Sequence, residues 1–198
     1  MDVAMINKAT KRRMGFEQLG YWLFLTEDGA GKVIGDHWES FFSVVYPANS
    51  YIWKTAFAPI NSLKSWLTTG CHTHIASYIN DEEKEHHHKV FGNDYLACIN
   101  WYNRGIRNLG VDEEKAMLEN GTIKNGGIIG KETLMITGLK DVVCGADRAR
   151  VGMRESVDRG FLRVVDLDAG HWIMLEKREE TNRVLGEFFE GGGVRSVL

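Results

Sequence analysis

Between Glu132 and Lys177 the chain twice places a short β-rich run directly before a residue that can move a proton. The first run, Thr133-Leu134-Met135-Ile136-Thr137, leads into Gly138-Leu139-Lys140-Asp141-Val142-Val143-Cys144. The second, Phe161-Leu162-Arg163-Val164-Val165-Asp166-Leu167, leads into Asp168-Ala169-Gly170-His171-Trp172. Between them the sequence predicts a helix over Ala146 to Gly160, with Val151, Met153 and Val157 as apolar positions and Gly160 as its C-cap. Strand, helix, strand is a βαβ unit, with parallel strands and a right-handed crossover. Ligands and reactive groups collect at the carboxyl ends of such strands. Asp141 and His171 are therefore expected on one rim. There a carboxylate can fix the histidine tautomer and leave the other ring nitrogen as a general base. The bland alternative is an ordinary βαβ unit with a surface aspartate and a packed histidine.

Composition limits what such a unit can serve. The 198 residues are 43% hydrophobic and 26% charged, with a net charge of -3 and no long basic block. That excludes nucleic acid and acidic membrane surfaces as expected partners. Cys71, Cys98 and Cys144 are odd in number and lack Cys-x-x-Cys spacing, so they are expected as reduced thiols in a cytoplasmic protein. No apolar run reaches the length of a membrane span, and Lys8, Lys11, Arg12 and Arg13 precede no signal-type hydrophobic region.

The first part of the chain is helical in pattern, after a polar start that defies placement. An apolar knot, Tyr21-Trp22-Leu23-Phe24-Leu25, precedes a helix opened by Glu27-Asp28, carrying Val33, Ile34, Trp38, Phe41, Phe42 and Val45 and closed by Pro47. A second helix follows Pro59, with Leu63, Trp66 and Leu67 on one face and Gly70 at its end. Asn80-Asp81-Glu82-Glu83 reads as a capping box opening a polar helix to about Phe91. A further helix, about Asp94 to Leu109, aligns Tyr95, Ile99, Tyr102, Ile106 and Leu109. Asn120 to Gly130 is a loose boundary, and a last helix with Val184, Leu185, Phe188 and Phe189 stops before Gly191-Gly192-Gly193. The fold class is α/β, with residues 1–120 a helical region and residues 121–198 a βαβ unit plus C-terminal helix.

Gly-Leu-Lys-Asp-Val-Val-Cys and Ala-Gly-His-Trp-Ile-Met-Leu-Glu-Lys resemble the acid and histidine loops of the α/β-hydrolases, in the wording of their epoxide hydrolase branch. Gly20-Tyr21-Trp22, Glu27-Asp28-Gly29-Ala30 and Asn100-Trp101-Tyr102 are similar to cap segments of that branch, so the resemblance covers about Gly20 to Glu190. It implies that residues 1–120 are the cap, or lid, and residues 121–198 the C-terminal part of the hydrolase core. It also implies that Asp141 and His171 form the acid–histidine pair, and that Tyr21 and Tyr102 hold the epoxide oxygen. Pattern alone makes both tyrosines core aromatics. The substrate implied is a small epoxide, opened to a diol through an ester intermediate, with no cofactor. A haloalkane dehalogenase would share the acid and histidine but use halide donors in place of paired tyrosines.

The chain departs from that pattern in two places. Arg178 stands after Glu176-Lys177 where the family usually has proline. More seriously, neither Gly-x-Ser-x-Gly nor Gly-x-Asp-x-Gly occurs, and the nearest fragment, Gly145-Ala146-Asp147-Arg148-Ala149, lacks the closing glycine. The expectation is a truncated hydrolase, inactive alone, or a non-catalytic or partner-dependent fragment, prone to self-association through open sheet edges. The apolar side chains then left uncovered are those of Leu134, Ile136, Leu162 and Val164. His86-His87-His88 reads as a solvated helix face, because consecutive helical positions point about 100° apart and cannot share one ion. Cys144 reads as a packing residue.

Overall fold

The computed structural model describes residues 1–191. Gly192 and Gly193, in the glycine run, lie outside the described residues. The chain divides into two compact units, Met1–Gly110 and Val111–Leu198. The first is all helical: α1 (Val3–Met14), α2 (Tyr21–Leu25), α3 (Ala30–Asp36), α4 (Trp38–Val45), α5 (Trp53–Ala56), α6 (Ser62–Thr68), α7 (Asp81–Phe91) and α8 (Leu96–Ile106). The second comprises α9 (Val111–Glu119), β1 (Thr133–Gly138), α10 (Ala146–Ser156), β2 (Leu162–Leu167), α11 (Ile173–Glu176) and α12 (Arg178–Phe189). The described residues are thus mixed α/β, with a small two-stranded parallel sheet. No helix among the described residues is long and apolar enough to cross a membrane.

In the first unit the apolar stripes converge on Ile34, Phe42, Val44, Leu63 and Leu67, which are at most 1% exposed. The helix expected from Glu27 to Pro47 is two helices, broken at His37, whose φ of -123° leaves the helical region. Gly31 and Gly35 share one face of α3, where a Cβ would collide with the backbone at Leu96 and Asn93 respectively. Their small size lets the start of α8 approach, and Tyr95 N–H donates to the Gly31 carbonyl at 3.3 Å. The capping box at α7 forms as its sequence predicts: Asn80 Oδ1 accepts from Glu83 N–H at 2.8 Å, and Glu83 Oε2 from Asn80 N–H at 2.9 Å. The polar start forms α1, capped by the Asp2 carboxylate accepting from Met5 N–H.

The histidine run departs from the solvated face its sequence suggests. His87 and His88 are half-buried. His88 stacks on Trp38 with centroids 4.0 Å apart, and His87 meets Phe42 and Phe91 at 4.9 and 4.5 Å. Both imidazoles pack as aromatic rings here, and for His87 burial, assisted by the neighbouring His88, lowers the pKa. Only His86 of the three is exposed.

In the second unit β1 and β2 pair in parallel, with Thr133 opposite Leu162 and Gly138 opposite Leu167. Helix α10 stops at Ser156, short of Gly160. Val157 instead forms an isolated parallel bridge with Ile129 and is 4% exposed. Gly160, with φ of +96°, lies in the turn closed by Phe161 N–H to the Asp158 carbonyl. Helix α9, which the sequence reading did not anticipate, precedes the Gly/Asn-rich connection. Leu134, Ile136, Leu162 and Val164 are each half-buried. Leu162 and Val164 line an open groove of about 560 Å³ with Val157 and Arg159. Phe189, expected on the apolar face of the last helix, is instead 77% exposed.

Candidate active site

Gly138 ends β1 where a Cβ would strike the carbonyl oxygens of Ala169 and Gly170. Its missing side chain lets the loops after the two strands run against each other. They are then sewn together by Leu139 N–H to the Leu167 carbonyl at 3.0 Å and Lys140 N–H to the Ala169 carbonyl at 2.8 Å. Ala169, 1% exposed, fills the space beneath. Outside, Lys140 Nζ meets Asp168 Oδ2 at 2.8 Å, an exposed ion pair that adds little.

Asp141 is fixed by its own loop. Oδ1 accepts from the backbone N–H groups of Val143 and Cys144, both at 2.8 Å, and buried Val142 and Val143 anchor the turn. Oδ2 lies 2.8 Å from His171 Nδ1. The Asp141 side chain is 6% exposed and that of His171 31%. Burial alone would raise the aspartate pKa, but His171 and the two amides outweigh it and hold the carboxyl below its ordinary range. A carboxylate carries no proton, so Nδ1 is the donor and the tautomer is set. Burial works against charge on His171. The Asp141 carboxylate and the Cys144 side chain oppose it and push the imidazole up to about 10. The bond to Asp141 thus favours the protonated ring, and in the neutral ring it keeps the proton on Nδ1 and leaves Nε2 free to accept one.

The histidine loop has its own clamp. Glu176 Oε2 accepts from Gly170 N–H at 2.6 Å and Oε1 from Trp172 N–H at 3.3 Å, holding the peptides on both sides of His171. Trp172 presents its ring edge-on to the imidazole, with centroids 5.1 Å apart. Further along the sheet, Thr137 Oγ1 donates to Asp166 Oδ1, whose other oxygen takes Arg150 at 2.6 Å.

Tyr21 and Tyr102 belong to the first unit, and the fold brings them together. Their rings meet edge to face with centroids 5.9 Å apart, and Trp22 packs against Tyr102 at 5.0 Å. Tyr21 is 8% exposed, while Tyr102 is half-buried. Gly105, one turn after Trp101, has a Cβ position that would overlap the Trp22 ring, so its bareness seats that indole.

Sequence reasoning missed three residues at this rim. Cys144 is exposed and beside His171, so the packing role expected for it is wrong. One donor atom each from Asp141, Cys144 and His171 lie within 4.8 Å of one another. The Asp-x-x-Cys spacing was the available signal. Glu176 was legible only as an acidic residue near a helix start, and Gly138 only as a strand end. No protein-family model matches the chain. Comparison with curated proteins finds no match either.

Proposed function

We propose that this chain carries the acid–histidine pair and the paired cap tyrosines of an epoxide hydrolase-like α/β-hydrolase. The observation that supports this most is the 2.8 Å bond between His171 Nδ1 and a buried, amide-held Asp141, on loops at the carboxyl ends of two adjacent parallel strands. In the reaction proposed, a carboxylate nucleophile attacks an epoxide carbon, the carbon–oxygen bond breaks, and an ester forms. Tyr21 and Tyr102 would hold the oxygen as it becomes an alkoxide and protonate it. His171 in its neutral form would then take a proton from water as that water attacks the ester carbonyl. This releases the diol and restores the carboxylate, and the proton taken up by His171 is given back through solvent to the tyrosine left as a phenolate. The mutual contact of the two tyrosines favours an epoxide over a haloalkane.

The 198 residues carry no recognisable nucleophile elbow, so the nucleophile would be supplied from outside them. The second reading, a non-catalytic or partner-dependent chain that self-associates, draws on that absence and on a sheet that has two strands among the described residues. Three or more are usually needed for independent stability. The test uses purified 1–198 with styrene oxide, watched by nuclear magnetic resonance. Expected are no diol above background, the same blank result for His171→Gln, and shifts of the Tyr102 and His171 resonances on adding the product diol. Diol formation lost in His171→Gln would show a nucleophile within these residues. A diol that disturbs neither resonance would remove the epoxide reading.

A further inference from the structure

The rim around His171 holds a donor set that acid–base chemistry does not use in full. Cys144 is exposed and three residues beyond Asp141, on the same amide-pinned turn. His171 comes from the loop alongside. One oxygen, one sulfur and one nitrogen donor from these three residues converge within 4.8 Å.

We propose that Asp141, Cys144 and His171 form a three-ligand site for a thiophilic divalent cation, zinc in the first place, with its fourth position open to solvent.

The donor types are those zinc takes, and three protein ligands with one open position is the arrangement of reactive rather than purely structural zinc sites. Distances decide whether the fit is feasible. Zinc bond lengths of about 2.0 to 2.3 Å place tetrahedral donors roughly 3.3 to 3.8 Å apart. Asp141 Oδ2 and His171 Nδ1, now at 2.8 Å, would open slightly, and the most distant pair, within 4.8 Å, would close by about 1 Å. Rotation of an exposed cysteine side chain supplies a movement of that size without moving the backbone. The aspartate is already oriented as an outer shell would orient it. Its Oδ1 is held by two amides while Oδ2 faces the histidine, and ligating carboxylates are commonly held this way. Exposure of Cys144 and partial exposure of His171 provide the entry path. Binding would displace the proton between Nδ1 and Oδ2 and the thiol proton. The metal and the acid–base pair therefore compete for the same atoms. Only this last consequence rests on the hydrolase reading, since binding itself needs just the three side chains.

The probe is cobalt(II), which shows a sulfur-to-metal charge-transfer band in the near ultraviolet and tetrahedral visible bands when a thiolate ligates it. Reduced, metal-free 1–198 is titrated with cobalt and then with zinc as competitor. Expected are both sets of bands at one equivalent, displaced by zinc. Cys144→Ser should abolish the charge-transfer band and weaken zinc binding by at least about tenfold, the lower end of what lesser, outer-shell changes produce. His171→Gln should weaken it comparably. Circular dichroism on each variant separates loss of a ligand from loss of fold, and Cys71→Ser with Cys98→Ser serves as a second variant that must retain the bands. No charge-transfer band in the folded wild type would overturn the site. So would a band that survives Cys144→Ser, or one that disappears in the Cys71/Cys98 variant. None of these readouts involves turnover, so they stand or fall apart from the epoxide assay.

Discussion

The two units are built on different physics. In the first, large side chains from several helices share one interior: Phe24, Ile34, Phe42, Trp53, Leu63 and Leu67 are all nearly inaccessible. In the second, the buried apolar side chains among the described residues are only valines and an alanine: Val142, Val143, Val157, Val184 and Ala169. Each strand's apolar side chains stay half-exposed. Apolar burial at about 25 cal/mol per Å² therefore stabilises the first unit far more than the second. What organises the second is polar and local: strand pairing, a pinned Asp141, the Glu176 clamp, and Arg163 bridging β2 to α12 through Glu187 at 2.7 Å. The candidate acid–base pair sits on the scaffold that depends most on hydrogen bonds. That contrast teaches where each unit is vulnerable.

The largest effect should come from the first unit's interior. Phe42→Ala should cost about 3 to 5 kcal/mol, the range for emptying a buried phenylalanine site, read from the urea midpoint of the helical signal. Loss below about 1 kcal/mol would mean that this core is no better packed than the second unit and would erase the contrast.

An intermediate effect is expected at Asp141. Asp141→Asn keeps the shape but removes the charge facing His171, and should cost about 1 to 3 kcal/mol in the second unit. Its pH signature has two sides. The Asp141 pKa is lowered from 3.8 on folding, so its contribution is present above that value and lost as the pH falls below it. The His171 pKa rises from 6.5 to about 10, so its contribution is complete below 6.5 and lost as the pH climbs through about 10. The gap in stability between wild type and Asp141→Asn should therefore be widest between these limits and narrow at both extremes. A gap that does not vary with pH would break the claim that charge holds this rim.

The smallest effect lies on a helix end. Asn80→Ala removes the cap of α7 and should cost about 1 kcal/mol, fraying its first turn while His87 and His88 keep their aromatic partners. Hydrogen exchange at Glu83 N–H should accelerate, while amides of β1 stay unchanged. Faster exchange in β1 would show that the units do not respond separately.

Much of the helical unit was legible because its signals are local. The capping box at Asn80 and the stripe through Leu63 and Leu67 need only neighbours in sequence. The approach of Asp141 to His171 was legible because a βαβ unit brings two strand ends together whatever surrounds them. What was hidden depends on contacts distant in the chain. The break at His37 and the bare face of Gly31 and Gly35 make sense only once Asn93 to Leu96 packs there. The aromatic role of His87 needs Phe42 and Tyr95 beside it. Cys144 looked inert because the sequence places no cation near it, whereas the loop turn brings it to His171. Val157 left the helix for a bridge to Ile129, a partner that no period within α10 could reveal.

If Asp141 and His171 form one coupled acid–base pair, the proton on that imidazole reports it. Nuclear magnetic resonance titration of His171 in the wild type and in Asp141→Asn reads it without any substrate. The wild-type ring should stay protonated past neutrality, titrating at about 10, and its pKa should fall when the carboxylate is removed. A His171 that titrates near 6.5 in both proteins would mean that the carboxylate does not govern the imidazole, and would contradict the pair.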